Sequence, residues 1–420
     1  MRNSAAFSLL IRGVSLLAPL AAAPVLARAL GPDGRGESGS LISLMILLPV
    51  VLSWGAPVVL RVVSARDHRR SMMYLRSVRV FAGGVGLVVA IVLALCAPAL
   101  LASLSPNVVV ALCVTVPVTV ATGILWTSNG GVLVGQGSSV AQVLAAGIPG
   151  IAFSVSVYTL WGLGILTVEA TLWAQAASYF LTFLASEGMT RVPWTRERVS
   201  LRELLRSGAR FAPGQIAEAA SYRLDQVVVL PLLGAYMAGQ YAVAVTISLL
   251  PLFVAQVVAM ALFRQSSDDQ WSGEDSDRLK VIRLLGIVGF VVGAAIACVT
   301  PFGIPFVFGS EYAPAVFPTI VGLAGSVFLA LSQGSATLLS IQQRGWLISG
   351  AQSAGLVVAF ALLLLLTPPL GVTGAAVAST CGYALSAVIM VSVLRPRLVD
   401  LTPRLRDITS LVSILRHGRY

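Results

Sequence analysis

This sequence of 420 residues is short of charge. Only 11% of the residues are charged and 57% are hydrophobic, for a mean hydropathy of +0.90. A soluble globular chain carries roughly 25% charged residues. So small a supply cannot cover a surface that faces water, and a soluble domain is excluded. Lysine is almost missing, with Lys280 alone, and the two histidines, His68 and His417, fall outside the apolar runs. The cysteines, Cys96, Cys113, Cys298 and Cys381, lie inside apolar runs with no CxxC spacing. The expectation for them is buried thiols packing as small hydrophobes. No His, Cys or carboxylate group has metal-ligand spacing, and no GxxxxGK[ST] stretch is there to cradle a nucleotide. Nothing in the sequence asks for a cofactor. The alternating segments of roughly ten residues that mark a membrane β-barrel are missing as well.

What is present is a series of apolar runs, each long enough to cross ~30 Å of hydrocarbon as a helix. The expected fold is all-α and polytopic, with about twelve transmembrane helices. The first six run over about 7–30, 38–63, 80–101, 108–133, 139–160 and 169–189. The second six run over about 211–233, 240–263, 281–302, 315–341, 346–366 and 375–394. The N-terminus, with Arg2 and Ala21-Ala22-Ala23, imitates a secretory leader. Arg12 interrupts its apolar stretch and the run continues to Leu30, so it reads as the first span.

The net charge of +11 sits mainly in loops on one side. These are Arg66 to Arg79 and the long linker Arg191 to Arg210; Arg28 and Arg35 are the exceptions opposite. The bias places both termini in the cytoplasm of a multi-pass cell-membrane protein, and an even number of spans agrees. Arginines spread over short loops form no soluble basic patch, so nucleic acid is not an expected partner. Within the linker, Ser200-Leu201-Arg202-Glu203 reads as a capping box opening a short interfacial helix. Leu401, Leu405, Ile408, Val412 and Leu415 recur at helical spacing among arginines. They suggest a basic amphipathic tail on anionic membrane lipids.

The chain repeats itself. Leu30-Gly31, Gly36 and Arg61 are matched 203 positions later by Leu233-Gly234, Gly239 and Arg264. Gln136 and Leu163-Gly164 are matched 207 positions later by Gln343 and Leu370-Gly371. Landmarks in order at a nearly constant offset imply two six-helix lobes related by an axis along the membrane normal. The N-terminal lobe is 1–195 with helices 1–6, the C-terminal lobe 196–395 with helices 7–12, and the tail 396–420.

Charged side chains inside spans are the functional candidates. Each costs roughly 2.5–3.5 kcal/mol at a helix centre on insertion scales, so each tends to face a wet cavity or a partner. Arg12 shares a helical stripe with Ser4, Ser8 and Ser15. It reads as a cavity wall, or as an arginine snorkelling to headgroups. Arg61 ends the second span, as a cavity residue or a plain anchor. Gln215, Glu218, Tyr222 and Asp225 share one face of the seventh span, with Arg223 about 100° further round. Such a face suits proton or cation binding; an internal ion pair is the bland alternative. Arg28, Arg35, Glu169 and Glu187 read as interfacial.

Several stretches, taken together, resemble bacterial polysaccharide-biosynthesis flippases of the multidrug/oligosaccharidyl-lipid/polysaccharide exporter superfamily. They are Arg28-Ala29-Leu30-Gly31-Pro32 with Gly36, and Trp54-Gly55-Ala56-Pro57 before Arg61. Arg223-Leu224-Asp225 with Gly239-Gln240-Tyr241, and Phe308-Gly309-Ser310-Glu311-Tyr312, complete the set. The resemblance implies two six-helix bundles around a central cavity, alternating access driven by an ion gradient, and no enzymatic step. It implies an undecaprenyl-pyrophosphate-linked oligosaccharide as cargo for cell-surface polysaccharide synthesis. Arg12, Arg61 and Arg223 then become candidates for the pyrophosphate, and Glu218, Asp225 and Tyr222 for coupling to protons or sodium. Glycosyltransferases or a polymerase of the same pathway are the implied partners. A cation-coupled exporter of small molecules and a non-transporting scaffold for glycosyltransferases are the rival readings.

Overall fold

The computed structural model describes residues 2–100, 104–190, 197–256, 275–342 and 344–394. The basic tail and Arg264 lie outside the described residues, as does Gln343. The helices are α1 (Arg2–Leu52), α2 (Ala56–Ser64), α3 (His68–Leu100), α4 (Pro106–Gly135), α5 (Ser139–Gly162) and α6 (Val168–Thr190). They continue with α7 (Leu201–Gly208), α8 (Ala212–Leu233), α9 (Ala235–Ser248) and α10 (Asp275–Phe308). A 3₁₀ turn (Ser310–Ala315) leads into α11 (Val316–Ile341) and α12 (Gly345–Val393). No strand occurs among the described residues.

Among the described residues, eight stretches are long and apolar enough to cross a membrane. Two of them, in α1 and α12, each hold two helices joined at a single glycine. Gly31 (φ 67°) breaks α1 and Gly371 (φ 57°) breaks α12. The polar residues of α6 and α8 keep those two helices out of the apolar set. With them, among the described residues, six crossing-length helical segments precede α7 and six follow it.

The turn expected over Arg28 to Gly36 is therefore one residue wide. Pro32 restarts the helix directly after Gly31, where its missing N–H is no loss. The repeat has a backbone counterpart. Gly31 (φ 67°, ψ 179°) and its match Gly234 (φ 80°, ψ 173°) adopt one conformation. Gly164 (φ 71°) and its match Gly371 (φ 57°) both take the left-handed region as well. Side chains disfavour these torsions, which explains why glycine marks the repeat.

By internal contacts the chain separates into Met1–Leu230 and Pro231–Tyr420. In the first unit Met45, Leu60, Leu75, Val120, Ile124 and Leu172 form the core between α1, α2, α3, α4 and α6. In the second, Leu339, Ala351 and Met390 form a smaller cluster of α11 and α12. Lipid replaces water around these helices and gives apolar surfaces no reason to associate, so close backbone approach has to hold them. A Cβ on Gly131 would lie 2.2 Å from the Pro57 carbonyl oxygen, and one on Gly135 2.5 Å from that of Arg61. The two glycines sit four apart, one turn of α4, and seat α2. In the second unit Gly355 and Gly382 meet face to face, each Cβ position 2.6–2.7 Å from the other's carbonyl oxygen. Gly355→Leu is expected to cost ~2–3 kcal/mol, the upper part of the ~1–3 kcal/mol range for overpacking, read as a lower unfolding temperature of the purified protein.

The basic loop expected over residues 66–79 is mostly helix, because α3 begins at His68. Arg76 and Arg79 are buried in it. Lying on α3, they hold the chain that enters α7. Arg76 Nη1 donates to the Glu197 carbonyl at 3.1 Å and Ser77 Oγ to that of Val199 at 2.8 Å. Half of the expected capping box forms, with the Glu203 amide donating to Ser200 Oγ at 3.2 Å. The Glu203 carboxylate turns outward instead, accepting from Tyr74 Oη (2.8 Å) and Arg70 Nη2 (3.1 Å) on α3. Tyr74 first, then Arg70, holds that carboxyl below its ordinary range. Its contribution to docking α7 is present above the ordinary glutamate pKa and lost as pH falls through the depressed value. The cysteines are free, with Cys298 exposed and the others half-buried rather than enclosed. A lipid-facing thiol is already in an apolar medium and needs no protein around it.

Candidate functional site

The polar residues of α8 form the densest set of in-span candidates, and the helix that carries them starts without strain. Pro213 lies in its first turn, where proline is tolerated, so Pro213-Gly214 opens α8. From there the 3.6-residue period brings Gln215, Glu218, Tyr222 and Asp225 onto one face.

Their surroundings differ. Asp225 is buried (8% exposed), Gln215 and Tyr222 are half-buried, and Glu218 is exposed. Asp225 Oδ1 accepts the backbone N–H of Gln226 at 2.7 Å. Gln226, also buried, spans two partners. Its Oε1 accepts from Ser43 Oγ of α1 at 3.0 Å, and its Nε2 donates to the Tyr222 carbonyl at 3.3 Å. The face is thereby tied to the second half of α1. Gln215 Oε1 is buried without a hydrogen-bond donor, an acceptor left open on the same face.

Arg223 is half-buried, and Tyr179 on α6 is buried. Tyr179 meets Trp126 of α4 edge-on, with ring centroids 5.9 Å apart and planes at 86°. Arg61 is exposed in the last turn of α2, where a cation suits the helix dipole. Its position follows from the contact of α2 with Gly131 and Gly135. The backbone of Arg12 is helical within α1, and its side chain lies outside the described side chains. Thus α8 brings Glu218, Tyr222, Arg223 and Asp225 together, and Arg61 is held on a separate helix of the same unit.

Of the residues read as interfacial, Arg28 is exposed and Arg35 is buried (8% exposed). Glu187 belongs elsewhere. It forms an ion pair with Arg79 of α3, their side chains 22% and 5% exposed. Asn129 of α4 donates to Glu187 Oε2 at 3.1 Å and to Ser186 Oγ at 3.0 Å. Three helices are joined there by one polar cluster. Its signal in the sequence is Asn129, a fully polar side chain late in an apolar run; its partners are 57 and 58 positions away along the chain. Ser43 and Gln226 carry no such signal, since both are uncharged and neither lies on the shared face of Gln215, Glu218, Tyr222 and Asp225.

The chemistry open to this set is limited and definite. Guanidinium groups at Arg61 and Arg223 can clamp phosphate oxygens in pairs. The carboxylates of Glu218 and Asp225 can take a proton or a cation. Among the described residues, no three His, Cys, Asp or Glu side chains are placed to hold a metal. An open groove of about 1220 Å³ in the second unit, lined by Gln342, Arg344, Val388 and Ser392 among others, contains none of the candidates.

Residues 25–317 match the family model described as polysaccharide biosynthesis protein. The fold is similar to that of the lipid II flippase MurJ in an inward closed conformation. The TM-score is 0.74 at 14% identity, covering 97% of this chain and 91% of that one. It is similar to an inward-facing multidrug resistance MATE family transporter of the MOP superfamily, with a TM-score of 0.68 at 15% identity, covering 98% and 100%. A MOP superfamily transporter from Pyrococcus furiosus gives 0.59 at 13% identity, covering 98% and 95%. At these identities the likeness establishes the fold, which is the two-lobe, twelve-helix architecture of that superfamily. No curated protein matches the sequence.

Proposed function

From the membership of this chain in the polysaccharide biosynthesis protein family, we propose that it is a flippase for undecaprenyl-pyrophosphate-linked oligosaccharides. It turns them across the bacterial cytoplasmic membrane for cell-surface polysaccharide synthesis. The observation that carries the reading is the family match over residues 25–317, joined to a fold shared with a lipid II flippase. The proposed lobes are 1–195 and 196–395, both termini are cytoplasmic, and the tail 396–420 rests on anionic lipids. No covalent step belongs to the reading, so the protein is a transporter and not an enzyme.

The mechanism assigns Arg12, Arg61 and Arg223 to the pyrophosphate. A doubly charged headgroup entering a medium of low dielectric needs guanidinium partners that bind it bidentately. Glu218, Asp225 and Tyr222 couple the movement to a proton or sodium gradient. The placement of Glu218, Tyr222 and Asp225 on one face of α8, with Asp225 buried and Glu218 exposed, supports that role. A second reading rests on the likeness to multidrug MATE transporters: export of organic cations through the same carboxylates, with no use for the arginines.

The two readings part in a ligand-stabilisation experiment. The purified protein is heated with a lipid-pyrophosphate oligosaccharide or with tetraphenylphosphonium. A rise in unfolding temperature with the lipid alone is the expected result. A rise with the organic cation alone, abolished in Asp225→Asn, would overturn the flippase reading in favour of the exporter.

A further inference from the structure

The break between α1 and α2 is built in an unusual way. Trp54 has φ 49° and Gly55 follows at φ 77°. Trp54 is the one non-glycine residue with positive φ among the described residues. Left-handed torsions cost an ordinary L-residue ~1–2 kcal/mol, and a bulky one holds them only where its surroundings leave no choice. Here the surroundings are α7. Trp54 Nε1 donates to the Leu205 carbonyl at 3.2 Å. A Cβ on Gly208 would fall 2.0 Å from the Trp54 carbonyl oxygen, and one on Gly55 2.5 Å from that of Gly208. The two backbones touch with no room for a side chain on either.

The dependence also runs the other way. α7 has eight residues, too few to stay helical alone in water, where helices under ~12 residues are marginal. It buries Leu204 and Gly208, leaves Leu201, Arg202 and Arg206 exposed, and is further held by Tyr74 and Arg70 through Glu203 and by Tyr74 against Ser207. A strained break that needs α7, and a short helix that needs the break, make one cooperative unit.

We propose that α7 is a latch on the α1–α2 break, and that the two open together as a single two-state element. When α7 is seated, α2 and Arg61 are fixed on α4. When α7 lifts, Trp54 leaves the left-handed region and the first turn of α2 loses its hold at Gly55, while Gly131 and Gly135 keep the rest of α2 on α4. Since α7 also runs directly into α8 through residues 209–211, one event changes the mounting of both helices that carry the candidate arginines and carboxylates. The latch does not depend on which cargo is moved.

The test is amide exchange of the full-length protein in lipid nanodiscs, read by mass spectrometry over residues 53–60 and 201–208, with no transport measured. Gly208→Val pushes the backbones apart. Tyr74→Phe is the milder variant: it removes a hydroxyl that touches α7 and leaves the break untouched. The expected result is faster exchange in both segments in both variants, by at least tenfold for Gly208→Val, with α4 unchanged. If Gly208→Val loosens α4 as well, Tyr74→Phe decides. Faster exchange over 201–208 with 53–60 as slow as in the wild type overturns the latch. So does no change in either segment with Tyr74→Phe.

Discussion

Arg61→Ala and Arg223→Ala are each expected to slow leaflet transfer of a lipid-pyrophosphate oligosaccharide by ~10–100-fold, from the ~1.5–3 kcal/mol of a hydrogen bond to a charged group. Folding is expected to be unaffected. Arg61 is exposed, so its loss leaves no hole. Arg223 is half-buried, and methionine in its place is the control that keeps volume without charge. Arg61→Lys is expected to fall between wild type and alanine, because an ammonium keeps the charge and loses the planar fork. Transfer rates in proteoliposomes, with unfolding temperature measured alongside, check the series. Equal rates for Arg61→Ala and wild type would remove Arg61 from the pyrophosphate site.

Arg79→Ala is the substitution expected to cost the most stability, about 3 kcal/mol, the lower end for breaking a buried ion pair. The lower end applies because Glu187 keeps 22% of its side chain exposed. Removing Arg79 leaves the Glu187 carboxylate with Asn129 alone, between α3, α4 and α6. Glu187→Leu in the Arg79→Ala background is expected to recover much of the loss, since the double variant buries no unpaired charge. Thermal unfolding of the two single variants and the double one gives the cycle. A double variant as unstable as the sum of the singles would mean that the pair does not act as a unit.

The sequence alone carried most of the architecture. Apolar runs set the helices, arginine bias set the expected orientation, and glycines at offsets of 203 and 207 marked a repeat in which all four of Gly31, Gly234, Gly164 and Gly371 take positive φ. The misreadings share one cause, since a linear sequence shows which residues are polar and not what they face. Arg76 and Arg79 read as loop cations because they follow a cluster of arginines, yet α3 continues beneath them and buries both. Glu187 read as interfacial from its place at a span end, and its partner lies 108 positions away. On α8 the shared face was legible from period alone. The contrast between buried Asp225 and exposed Glu218 was not, because burial depends on α1, whose Ser43 holds Gln226. The outward turn of Glu203 had the same source: the capping box is local, and Tyr74 and Arg70 are not.

The central claim is that this chain turns a lipid-pyrophosphate-linked sugar across a membrane. It is tested most directly in liposomes loaded symmetrically with that lipid, by scoring its accessibility to an impermeant hydrolase from outside. With the protein present and a proton or sodium gradient imposed, the expected result is transfer of the inner-leaflet half within minutes, accelerated by the gradient in wild type and not in Asp225→Asn. Transfer no faster than in protein-free liposomes, under either gradient and in either orientation of the protein, would contradict the claim.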